Sequence, residues 1–227
     1  MFKYRFFQIV LAIAVVMLIV SSAVFLSFYA VYIREEEYQS EISGKTVTTV
    51  EADGTVVELT DFEAWLEYSI IADGFKETGN NIDFDKGNVT LCDYNQAQLK
   101  ELKKVKDEAK RMIFLSVILL LVGFLAVKKR RMYECVVWGG AGASVIGLIS
   151  LVLLALSKHG ILYGVREMVF HGRYDVFFSK EDSLISLIPE TLAVKMFLIY
   201  TMVILAGLII TIIVRLISWR KTQPHKF

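Results

Sequence analysis

The chain has 227 residues, 55% of them hydrophobic, and its 25 Lys and Arg nearly cancel its 24 Asp and Glu. Soluble domains are about 45–50% apolar, and here the excess is concentrated in uncharged blocks at residues 6–33, 112–127, 135–157 and 196–214. That pattern excludes an ordinary soluble globular domain.

A helix rises about 1.5 Å per residue and must cross about 30 Å of hydrocarbon. Three of the blocks are long enough. The block at 112–127 is short, but Arg111, Lys128 and Lys129 flank it with stems that reach the interfaces. The prediction is an all-α membrane protein with four transmembrane helices, at 6–33, 112–127, 135–157 and 191–214. The small-x-small pair Ser21 and Ala23 resembles a signal-peptidase site, yet the apolar run continues through Ile33, so the first helix is read as a retained anchor.

Basic residues set the orientation. Lys3, Arg5, the link from Lys128 to Arg131 and the tail 215–227 hold ten Lys and Arg, and the one acid on that side is Glu134 just after the link, while the rest of the chain holds 15 against 23 acids. Both termini are therefore expected in the cytoplasm, with 34–111 and 158–190 outside. No basic surface is left over for nucleic acid. Cys92 and Cys135 fall on opposite faces under this topology and are read as unpaired thiols.

In chain order, the first helix projects past Arg34 and ends near Ser43 and Gly44. Residues 45–60 read as a β-hairpin turning at Asp53-Gly54. Thr60 and Glu63 have capping-box spacing, Phe62, Trp65, Leu66 and Ile70 continue at helical spacing, and Gly74 reads as a stop. Residues 75–92 are turn-rich, with room for one short strand. Together these form a small α+β cap outside the membrane between spans one and two. From Asn95 one helix is expected to run unbroken through the second span, with Leu99, Leu102, Val105, Ala109 and Met112 on its apolar face and the charges of 100–111, Glu101 included, on a solvated face. In the third span Gly140 and Ser144, and Ala143 and Gly147, are small-xxx-small pairs suited to close helix packing. The last span should begin near Pro189-Glu190.

Lys195 is the one ionisable residue within the spans, which argues against a pump, channel or coupled transporter. No metal motif, nucleophile elbow, Walker loop or paired-cysteine motif is present, so neither metal nor cofactor is expected. The chemistry-bearing stretch is 158–195. There His171 follows Met168, Val169 and Phe170, with Arg166, Arg173, Tyr174, Phe177 and Phe178 nearby. A histidine beside aromatics at a membrane interface also serves purely structural ends, its amphipathic ring suiting that layer.

The order Phe170-His171, Phe177-Phe178, Asp182-x-Leu184-Ile185 and Pro189-Glu190 before a final span resembles the bacterial lipoprotein intramolecular transacylase family and its four-span relatives. The resemblance implies a bacterial plasma-membrane enzyme acting on lipoproteins and membrane lipids. It would move an acyl chain from the diacylglyceryl group to the amine of the N-terminal cysteine. It also implies His171 as catalytic base and acid, with Gln98, Glu101, Arg166, Arg173 and Tyr174 at the substrate. The family carries a second histidine on the helix entering the second span, and this chain has Gln98 there. Two functional classes follow: an acyltransferase, or a non-catalytic lipid- or partner-binding member of the same fold.

Overall fold

The structure, a computed structural model, describes residues 2–30, 35–50, 55–77, 93–126, 129–157 and 190–222. Within them lie helices α1 (Phe2–Phe28), α2 (Glu35–Ile42), α3 (Asp61–Lys76), α4 (Asp93–Ala126), α5 (Lys129–Ser157) and α6 (Glu190–Thr222), and strands β1 (Val47–Val50) and β2 (Val56–Leu59). The chain divides into two compact units. The first comprises Met1–Phe25, Glu108–Leu156 and Tyr200–Phe227, and the second Leu26–Asp107 and Ser157–Ile199.

Three helices carry stretches long and apolar enough to cross a membrane: Arg5–Phe28 in α1, Met132–Ser150 in α5 and Lys195–Ser218 in α6. The chain is a mostly helical membrane protein. The expected unbroken helix into the second apolar block is present as α4, and α6 begins at Glu190, as the proline before it predicted. Along 112–125 of α4 several large side chains face outward, among them Phe114, Leu121, Phe124 and Leu125.

In the first unit, small residues bring backbones together. A Cβ at Gly139 of α5 would lie 2.6 Å from the carbonyl oxygen of Ala12 in α1, and one at Gly142 would touch Val16 at 3.0 Å. On another side of α5, Gly140 and Gly147 meet Thr211 and Ile204 of α6, and Ser150 shares a 3.2 Å hydrogen bond with the Tyr200 hydroxyl. Gly123 of α4 admits Leu11, and Gly207 of α6 admits Ile19. The packing role read for Gly140 and Gly147 is thus present, and α1 is the helix that the other three all touch.

The second unit is a small α+β assembly. β1 and β2 pair antiparallel with Val47 opposite Leu59 and Thr49 opposite Val57. That face is turned inward, with Thr49 and Leu59 buried, while Thr48, Val56 and Glu58 are exposed. The hairpin's turn residues, Asp53 and Gly54, lie outside the described residues, as does the turn-rich stretch after Glu77. α2 ends where expected: Gly44 adopts φ 71°, and its N–H donates to Asp61 Oδ2 at 3.2 Å. α3 starts on the predicted capping box, Glu63 N–H donating to Thr60 Oγ1 and Thr60 N–H to Glu63 Oε2.

Two expectations for α3 are corrected. Its buried face is Ala64, Glu67, Tyr68, Ile71, Ala72 and Phe75 rather than the stripe through Phe62, and Phe62 is 66% exposed against Trp65. Gly74 is not the stop. The helix runs on to Lys76 because Phe75 is fully buried and its ring packs against Phe28, centroids 6.0 Å apart. Tyr68 stacks flat on Tyr38 of α2 at 3.9 Å, and both rings are fully buried.

Close backbone approach predicts an asymmetry among the glycines. Gly140→Val must displace Thr211 and should cost about 1–3 kcal/mol by overpacking. Gly142→Ala should be near neutral, since the gain in helix preference of about 1 kcal/mol offsets a mild contact. Thermal unfolding in detergent checks this, and equal melting temperatures for the two variants would refute the packing account.

Candidate functional site

The site residues expected from the sequence divide sharply. His171, Arg166, Arg173 and Tyr174 lie outside the described residues, as do His159 and His225. Gln98 and Glu101 stand on α4, three positions apart, in the part of that helix belonging to the second unit. Glu101 is exposed and pairs with Lys104 at 3.7 Å on the same helix, so its carboxylate faces solvent. Surface pairs of this spacing contribute little to stability.

Around these residues the α4 surface differs from the expected division into apolar and solvated faces. Val105 and Met112 are exposed, whereas Lys103 and Lys106 are buried together with Leu99 and Ala109. The cause is the end of α3. Its last carbonyls have no partner within the helix, and the two lysines supply one: Lys103 Nζ donates to the Glu77 carbonyl at 2.7 Å and Lys106 Nζ to the Phe75 carbonyl. Ammonium groups at a helix C-terminus also oppose the negative end of its dipole. Asp107 completes the cluster, its carboxylate 3.0 Å from Lys103 and 3.2 Å from Lys106. Partial burial works to raise the Asp107 pKa, but the two lysines outweigh it and hold the carboxyl below its usual range.

A second polar link lies within the same unit. Lys195, near the start of α6, donates to Glu41 Oε1 of α2 at 2.7 Å and is about a third exposed. Tyr38 contributes a buried hydroxyl with no hydrogen-bond partner among the described residues, and burial raises its pKa. Sequence reasoning missed Lys103 and Lys106 as the link from α4 to the end of α3, and Glu41 and Tyr38 as the polar groups of α2 that meet Lys195 and Tyr68. The only available signal was the spacing of Leu99, Lys103, Lys106 and Ala109, which keeps to one helical face across a change from apolar to charged residues. Among the described residues no group of three His, Cys, Asp or Glu side chains could hold a metal ion. What the described geometry provides is a hydrogen-bonded link from α4 to the end of α3 and an exposed Glu101–Lys104 pair on α4.

No family model matches this chain, and no curated protein does. Solved structures do. The membrane integral lipoprotein intramolecular transacylase Lit from Bacillus cereus superposes with a TM-score of 0.66 at 14% identity, over 94% of this chain and 96% of that one. A histidine-to-arginine variant of the Bacillus cereus protein gives 0.65 at 14% identity, covering 97% and 95%. A histidine-to-alanine variant gives 0.64 at 16% identity, covering 97% of each chain. This chain has the Lit fold.

The lysine clamp is testable by itself. Lys106→Met leaves the Phe75 carbonyl without its donor and should cost about 1–3 kcal/mol. Amide exchange should rise at the C-terminal turn of α3 and stay unchanged at the Thr60 capping box. Because the Asp107 pKa is depressed in the folded state, its contribution is present above the unfolded value of about 3.9 and is lost as pH falls through the folded value. The same turn should therefore loosen on acidification below about pH 4, and Asp107→Asn should lack that acid step. A flat pH response in the natural chain would show that Asp107 does not stabilise the turn.

Proposed function

We propose that this chain is a bacterial plasma-membrane acyltransferase that modifies lipoproteins by moving an acyl chain from the diacylglyceryl group to the α-amine of the N-terminal cysteine. The observation that carries this reading is the match in fold to Lit along nearly the whole chain, joined to the residue pattern around His171. In this reading α4 crosses the membrane as well, giving four spans. Both termini lie in the cytoplasm and the segments around His171 and Gln98 outside, as the basic residues argue.

The chemistry asks for few groups. The α-amine, with a pKa of about 8, must give up a proton to attack the ester carbonyl, and the departing glyceryl oxygen must receive one. Imidazole titrates near neutrality and does both, which assigns His171 as base and then acid. Arg166, Arg173 and Tyr174 are the nearby donors suited to the developing oxyanion. Gln98 and Glu101 are assigned to substrate binding: an amide can hold a substrate polar group but cannot shuttle a proton. Neither metal nor cofactor enters this chemistry.

One observation favours a second reading. Gln98 stands where the family has a second histidine, and a fold that keeps one imidazole of two also suits a lipid- or partner-binding protein without turnover. Mass spectrometry of lipoprotein N-termini in cells with and without the chain separates the two. The expected product is an N-acylated cysteine over a monoacyl glyceryl group, and its absence would leave the binding reading. His171→Ala should lower product formation by about 10²–10⁴-fold at unchanged protein level. Full activity in that variant would remove His171 from the catalytic role.

A further inference from the structure

The first unit contains a cleft of about 450 Å³ between α1 and α5, lined by Arg5, Gln8, Ile9, Ala12, Ile13 and Val16 on one wall and by Glu134, Cys135 and Trp138 on the other. Nothing in the proposed reaction uses it. Its volume falls within the roughly 300–1,000 Å³ of small-molecule sites. Polarity is distributed along it with a clear gradient. Arg5, Gln8 and Glu134 stand at one end, and from there the walls are Ile9, Ala12, Ile13, Val16 and Trp138.

Its dimensions and surroundings narrow the occupant. Arg5 to Val16 is eleven residues along α1, a rise of about 16 Å, close to half of the roughly 30 Å hydrocarbon thickness. The cleft is therefore one leaflet deep. Its α1 wall belongs to a segment apolar enough to cross the membrane, and Ile9, Ile13 and Trp138 are 59%, 51% and 73% exposed, so the cleft opens sideways toward lipid. A polypeptide partner would need its own backbone satisfied at that depth, whereas an acyl chain needs nothing.

The polar end specifies a headgroup. Arg5 and Glu134 are both exposed, and with the half-buried Gln8 they are the charged and amide residues of the lining. A cation and an amide donor suit a phosphate diester, and a carboxylate beside them suits a primary ammonium, which donates hydrogen bonds. An anionic headgroup would satisfy Arg5 but meet repulsion from Glu134. A quaternary ammonium would bring charge without a donor. We infer that this cleft holds one phospholipid of the adjoining leaflet, with one acyl chain along Ile9, Ile13 and Val16 and a phosphoethanolamine headgroup between Arg5 and Glu134. The site is separate from the acyl-transfer reading and stands or falls without it.

The full-length chain carries Trp65, Trp138 and Trp219. With Trp65→Phe and Trp219→Phe, Trp138 reports on the cleft alone. The protein is placed in phosphatidylcholine nanodiscs containing a minor fraction of lipid with brominated acyl chains, its headgroup being ethanolamine, choline or glycerol. The ethanolamine lipid should quench Trp138 fluorescence several-fold more than the other two. Glu134→Gln should erase that preference, and Glu134→Lys should transfer it to the anionic glycerol lipid. Equal quenching by all three headgroups would mean ordinary boundary lipid only and would overturn the proposal.

A second measurement covers the case in which the tryptophan variants fail to fold. Native mass spectrometry of the unsubstituted chain, released from a membrane of mixed headgroups, should show one retained phosphatidylethanolamine. Ile13→Trp, which fills the cleft, should lose it. Retention of the lipid by the folded Ile13→Trp protein would equally overturn the assignment. Neither experiment reads lipoprotein modification, so failure of either leaves the acyl-transfer question untouched.

Discussion

The first unit depends on how closely α1 can be approached. Inside a bilayer apolar surface gains nothing by leaving lipid, so helices associate through dense van der Waals contact and a few hydrogen bonds. α1 offers no charge between Phe6 and Phe28 with which to hold a neighbour. What holds the neighbours is the absence of side chains opposite it. Gly123 of α4, Gly139 and Gly142 of α5 and Gly207 of α6 open space for Leu11, Val15, Val16 and Ile19 in turn. Polar contacts such as Ser150 with Tyr200 then fix α5 on α6 at one level. The lipid-sized cleft follows from the same geometry. Where α1 and α5 lie against each other at Gly139 they touch, and toward Arg5 and Glu134 they carry larger side chains that leave a groove between them.

The second unit is governed by a different demand, the satisfaction of buried backbone carbonyls. α3 runs past Gly74 to bury Phe75, and its final carbonyls then lie under α4, where water does not serve them. Two lysines answer that need at the cost of their own burial, which Asp107 offsets. The result ties α3 to the half of α4 that carries Gln98 and Glu101. In the proposed reading Gln98 and Glu101 handle substrate, and side chains so used need such support, because a displacement of about 1 Å can forfeit much of the rate advantage.

Legibility in the sequence followed the strength of the local signal. Unbroken apolar runs marked the helices that can cross a membrane, the Val and Thr runs marked the strands, and Thr60 with Glu63 marked the start of α3. The inward face of α3 was misread for a physical reason. Phe62 and Trp65 are the most apolar residues of its first turns, but the close packing of α2 and β2 on α3 selects the small Ala64 and Ala72 with the flat ring of Tyr68. Lys103 and Lys106 were misread for the converse reason: charge signals solvent unless a helix end stands within reach, and that end is distant in sequence. Gly140 and Gly147 were legible as packing residues because their spacing carries the information by itself. The roles proposed for His171, Arg166, Arg173 and Tyr174 rest on the family resemblance and on the chemistry of their side chains.

That chemistry bears on whether one imidazole suffices. In the proposed transfer the carbonyl carbon exchanges a C–O bond for a C–N bond, the amine loses one proton, and the glyceryl oxygen gains one. The proton taken is the proton delivered. A single imidazole within reach of both atoms therefore closes the cycle without net change, so Gln98 in place of a second histidine does not break the proton balance. What a second imidazole would add is a charge placed to stabilise the oxyanion, or orientation of the first ring, and removing one such donor typically costs about 10²–10³-fold in rate. Glutamine retains the donor and forfeits the charge. Within the proposed reading the substitution therefore slows the transfer rather than forbidding it, and the proposal gives the burden of charge stabilisation to Arg166 or Arg173, the two cations that flank His171 in sequence.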